Sequence, residues 1–148
     1  MAVWQYDLFL VGEGSTLPLL KDDGWELAQL PAASTLKAQD ALTGSMGDPW
    51  LMMDDWVVFG NEESTRIDLM FNEADEVEIR IRLGASATEA DLDAVCHFTR
   101  ELRGKLFDPA TGGLFQADRS SLASALASSH AVAFCQSPLS FLLRRSRA

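Results

Sequence analysis

The sequence predicts an α+β fold, an antiparallel sheet built as a meander with two main helices packed on one face, in a single domain over residues 1–148. Three observations predict it. Residues 56–59, 65–71 and 77–83 are short runs rich in β-branched and aromatic side chains, separated by the polar stretches 60–63 and 72–75. Leu92, Val95, Cys96, Thr99 and Leu102 recur at helical spacing, and Phe98 widens their stripe, which suits a helix laid on the apolar side of a sheet. With 148 residues, 47% of them hydrophobic and 23% charged, the chain can bury a core without disulfides or a metal.

The elements follow in order. Residues 3–11 read as an opening strand that ends at Gly12, Glu13 and Gly14, with Asp7 as an unexpected charge inside it. Between 15 and 50, Pro18, Gly24, Pro31, Gly44, Gly47 and Pro49 interrupt the pattern and leave room only for a short helix over 34–42. In the meander, Val77, Ile79, Ile81 and Leu83 face one way and Glu78, Arg80 and Arg82 the other. Ile67, Leu69 and Phe71 alternate likewise with Arg66, Asp68 and Met70. One face is therefore expected to be core and the other wet. A turn that pairs Phe71 with Val77 sets Asp68 opposite Arg80, which favours that register, and Arg66 opposite Arg82, which requires acids nearby.

Gly84 closes the last of these strands. Ser86 with Glu89, or Thr88 with Asp91, has capping-box spacing for a helix that ends at Leu102 and Arg103, with Gly104 as its stop. Strands at 105–107 and 114–115 flank a turn over 108–113. A second helix starts at Asp118 or Ser120 and runs to about 129, with Leu122, Ala125, Leu126 and Ser129 on one side. Residues 131–135 read as a final strand, Pro138 breaks it, and Phe141 and Leu142 form an anchor before a tail containing Arg144, Arg145 and Arg147.

Charge is divided unevenly along the chain. Fifteen acids and three bases lie in residues 1–76, a net −12, against seven acids and nine bases from Val77 on, a net +2. Such a field attracts a basic protein partner and repels nucleic acid and anionic membrane. No stretch has the length of a membrane span or the pattern of a signal peptide, and two cysteines are too few for a secreted disulfide framework. The expectation is a cytoplasmic protein, with homo-oligomerisation left open.

No catalytic or metal constellation stands out, and no cofactor motif. His97 beside Cys96 has no second ligand at i+3 or i+4, so Cys96 reads as a small buried hydrophobe. His130 follows Ser128 and Ser129 without a nucleophile elbow and reads as helix-end packing. The pairs Asp22 and Asp23, Asp54 and Asp55, and Glu62 and Glu63 lack calcium-loop spacing and read as solvated turn residues. Gly112 and Gly113 form a turn and not a phosphate cradle.

The overlap of acid with aromatics is more informative. Trp4, Trp25, Trp50 and Trp56 all fall in the acidic half, and residues 48–56 interleave tryptophan, methionine and aspartate. Tryptophan anchors interfaces as well as cores. The candidate partner-binding set is Trp50, Asp54, Asp55, Trp56, Glu62 and Glu63, with the acids steering association and the indoles anchoring it. The rival is an enzyme using Asp68 or Glu78 beside Arg80 and Arg82 on the wet face.

The Trp4, Gln5, Tyr6, Asp7, Leu8 opening, residues 59–63, residues 77–81 and the ending at 137–142 resemble those of small acidic bacterial proteins, some of which are immunity proteins. That resemblance implies neutralisation of a toxin by a non-enzymatic protein and carries over no catalytic residue. The chain is also similar in size and acidity to type III secretion chaperones, although those usually open with a helix and this one is expected to open with a strand.

Overall fold

Alternating apolar residues lay down the strands, and their pairing builds one twisted antiparallel sheet. The computed structural model describes residues 4–146; Val3 and Arg147, assigned above to the opening strand and the tail, lie outside the described residues. The strands are β1 (Gln5–Gly12), β2 (Leu19–Lys21), β3 (Gly24–Glu26), β4 (Leu30–Pro31), β5 (Trp50–Met53), β6 (Trp56–Gly60), β7 (Arg66–Phe71), β8 (Glu76–Gly84), β9 (Gly104–Asp108) and β10 (Gly113–Phe115). Among the described residues five α-helices join them: α1 (Leu36–Met46), α2 (Glu89–Glu101), α3 (Arg119–Ala127), α4 (His130–Gln136) and α5 (Pro138–Ser146).

The main sheet runs β10-β9-β1-β8-β7-β6-β5, with β4 pairing the start of β8, while β2 and β3 form a separate hairpin. The meander is real and one strand longer than the sequence shows, because β5 extends it. Its register is the expected one: Phe71 pairs with Val77, Asp68 with Arg80 and Arg66 with Arg82. β1 inserts between β8 and β9, setting Asp7 opposite Arg82 and Phe9 opposite both Arg80 and Phe107.

One face of the sheet carries Leu8, Leu10, Ile67, Leu69, Val77, Ile79, Ile81 and Leu83, all buried in a single apolar cluster. The helices supply its other half, through Ala38 and Leu42 of α1, Leu92, Val95, Cys96 and Phe98 of α2, Leu122 and Leu126 of α3, and Ala131 of α4. Apolar area removed from water in this two-layer arrangement is the main stabilising term. Cys96 is buried as expected, and burial raises its thiol pKa; Cys135 is exposed.

Of the two capping-box pairs that the spacing offers, Thr88 with Asp91 is the one that forms at the start of α2. Several other local expectations need correction. The left-handed residue after α2 is Arg103, at φ 51°. Gly104 serves a different end, since a Cβ there would lie 2.7 Å from Leu10 Cδ2. The short helix expected over 34–42 extends to Met46, because Gly44 is carried inside it and Gly47 ends it at φ 86°. Residues 131–135 are helical rather than a strand: the Ser129 side chain accepts from Val132 N at the start of α4, and only Ala131 is fully buried. His130 therefore opens α4 instead of closing α3, and its Nε2 lies 3.1 Å from the Gln5 carbonyl oxygen. In α5, Phe141 packs edge-on against Phe134, but Leu142 is exposed, and Arg144 and Arg145 belong to the helix.

Tyr6, the single tyrosine of the chain, is buried and donates to Asp108 Oδ2 at 2.7 Å. Burial first, and then the hydrogen bond and charge of Asp108, push its phenol far above the ordinary value of 10.0. The folded state thus keeps a proton that the unfolded chain releases at about pH 10. Stability linked to this proton is complete below about pH 10 and falls as pH rises beyond it. In an alkaline titration, phenolate absorbance is expected to appear together with loss of circular dichroism. A phenolate that titrates near pH 10 while the chain stays folded contradicts this linkage.

Candidate functional site

The second face of the sheet holds side chains in cross-strand rows. One row runs Asp7, Arg82, Arg66 and Gly60; the next runs Phe107, Phe9, Arg80, Asp68, Val58 and Trp50; a third runs Glu78, Met70, Trp56 and Met53. Val11, Val58 and Phe107 are buried here without joining the helix-covered cluster. The β2–β3 hairpin covers the β9 side through Trp25, whose ring meets Phe107 edge-on at 4.9 Å and whose Nε1 donates to the Pro109 carbonyl.

This face is not uniformly wet. Asp68 is 0% exposed and Arg66 5%. Asp68 Oδ2 accepts from Arg66 at 2.9 Å, from Arg80 at 2.9 Å and from Trp56 Nε1 at 3.1 Å. Arg80 also lies over the Trp56 ring, 5.5 Å from its centroid. Asp7 takes a two-pronged contact from Arg82, at 2.8 and 3.0 Å, and that bond holds the Arg82 guanidinium pKa above its ordinary value. The unfavourable pairing of Arg66 with Arg82 is resolved in this way, one carboxylate for each side of the row. Guanidinium planes, aliphatic stems and the indole together exclude water from Asp68, which is why alternation alone predicts exposure and the structure shows burial. Among the described residues, Asp68 Oδ1, Arg66 Nε and Arg80 Nε have no hydrogen-bond partner.

The six predicted partner-binding residues divide into two groups. Trp50 shares a shallow hollow of about 400 Å³ with Asn61, Glu62 and Glu63 at one end of β6. Asp54 and Asp55 form the β5–β6 turn beside Trp56 at the other end, roughly 13 Å away along the strand. All four acids are exposed and both indoles are half-buried. The structure therefore brings each tryptophan to its own acid pair and does not gather the four acids into one cluster. Neither indole N–H is free, since Trp50 Nε1 donates to the Gly60 carbonyl at 2.7 Å and Trp56 Nε1 to Asp68.

Arg66 and Asp68 are the residues that sequence reasoning placed wrongly, as parts of a wet face. Their clue was present in the like-charge pairing of Arg66 with Arg82, which demands a carboxylate on each side. Glu78 is half-buried, and its carboxyl pKa is raised by burial against the opposing effect of Arg80. His97 lies at 3.7 Å from Glu101 on an exposed helix face. Among the described residues no group of three or more His, Cys, Asp or Glu side chains is placed to hold a metal ion, and no helix is long and apolar enough to cross a membrane. No family model, curated protein or solved structure matches this chain.

Proposed function

We propose that the chain is a non-enzymatic binding protein that docks the β5–β6 side of its sheet on a basic protein surface. One observation carries this reading: Trp50 and Trp56 stand on the same sheet face, each half-buried and each beside an exposed pair of acids. Half-buried indoles locked by internal hydrogen bonds present rigid apolar area at little entropic cost, and carboxylates around them steer a cationic partner. The form of partner implied by the resemblance to immunity proteins is a toxin whose basic surface this face occludes. Of the two carboxylates that the enzyme reading offers, Asp68 is fully buried and held by three donors, out of reach of a substrate.

The test is capture of partners by the full chain from extracts of its native cells, followed by kinetics with each purified partner. Raising salt to about 0.5 M is expected to slow association, because screening then acts within a few ångströms. Combining Asp54→Lys, Asp55→Lys, Glu62→Lys and Glu63→Lys is expected to slow it by about tenfold to a thousandfold. An association rate indifferent to both changes overturns the reading.

A further inference from the structure

β5 is the outermost strand on its side of the sheet, and among the described residues no strand pairs with its outer edge. It carries no charged side chain, and Leu51 and Met53 are each 63% exposed. Free backbone donors and acceptors beside exposed apolar side chains form a template for one more strand. Acids stand at both ends, with Asp48 before the strand and Asp54 and Asp55 after it, and Glu62 and Glu63 lie near Trp50.

We propose that β5 takes up an extended segment of the partner as an added strand, and that this segment carries lysine or arginine at both ends of an apolar centre. The inference rests on the reading of a basic partner given above and adds the mode of binding. A segment of about six residues, roughly 20 Å when extended, spans the strand and reaches its acidic flanks. Charge selects this occupant over a second copy of the chain. Antiparallel self-pairing of β5 sets Asp48 of one copy against Asp54 and Asp55 of the other, twice over, and like charges facing across a ladder oppose pairing. The shift of register between Leu51 and Met53 also bends the edge away from a flush, symmetric match, whereas a single flexible segment adapts to it.

The probe is a capped synthetic peptide of sequence Lys-Val-Leu-Val-Val-Lys, titrated against the full chain beside a Glu-ended counterpart. Two N-methylated isomers complete the set, each blocking the amides along one edge of the peptide. The Lys-ended peptide is expected to bind and slow amide hydrogen exchange at 50–53, and the Glu-ended one to bind at least about tenfold more weakly. One N-methylated isomer is expected to lose about tenfold or more in affinity and the other to retain it, because only one edge of an added strand meets β5. If both isomers bind like the parent while the preference for lysine persists, strand addition is overturned and the basic-partner reading stands. Equal binding of Lys- and Glu-ended peptides overturns the basic partner on which the proposal rests. Absence of binding by the Lys-ended peptide overturns the proposal, as does a dimer in sedimentation whose 50–53 amides are protected without peptide.

Discussion

Replacing Asp68 with alanine is expected to destabilise the fold by about 3–5 kcal/mol, read from urea unfolding, because it strands Arg66 as a buried charge without a counter-ion. Arg80, with its side chain 20% exposed, loses less because water reaches it. The same substitution removes the acceptor of Trp56 Nε1, so the indole emission of the folded variant is expected to change as well. A triple variant, Arg66→Met, Asp68→Leu and Arg80→Met, separates loss of the carboxylate from loss of packing. It is expected to recover most of the stability, since apolar replacement of a whole buried ion network is often neutral. An Asp68→Ala protein within about 1 kcal/mol of the parent would mean that solvent already reaches this network.

Gly60→Ala is expected to cost about 3 kcal/mol or more. Gly60 sits at φ 94°, and a Cβ there would overlap the Thr65 carbonyl oxygen outright and crowd Met46 Cε at 2.9 Å. Its own carbonyl receives the Trp50 indole N–H, so relief of the clash moves the acceptor that orients Trp50. The adjacent turn carrying Glu62 and Glu63 moves with it. A Gly60→Ala protein that keeps both its unfolding midpoint and its Trp50 environment would show that the turn tolerates an ordinary side chain.

The sheet was largely legible because its two faces differ in chemistry and its turns are spelled by polar residues. A turn pairing Phe71 with Val77 sets Asp68 opposite Arg80, and that opposite-charge pair marks the register that the sheet adopts. The region from 15 to 50 resisted for physical reasons. β2, β3 and β4 are two or three residues long, too short to show alternation, and α1 buries only Ala38 and Leu42, too few to mark a stripe. β5 is not legible because its four residues are all apolar, so the alternation of half-buried and exposed positions along it leaves no mark in the sequence. For the candidate site, the pairing of indoles with acids could be read from sequence proximity at Asp54, Asp55 and Trp56. The meeting of Trp50 with Glu62 and Glu63 could not, since it depends on the β5–β6 hairpin folding back.

The placement of β1 between β8 and β9 sets an order on assembly. The contact of Asp7 with Arg82 closes 75 residues of chain, whereas Phe71 reaches Val77 across a short turn. Closing the longer loop costs about 2 kcal/mol more in chain entropy. The meander is therefore expected to form first from local contacts, with β1 recruited afterwards onto the edge of β8. The opening strand thus supplies both the apolar residues Leu8 and Leu10 that extend the core and, in Asp7, the carboxylate that grips Arg82 on the opposite face.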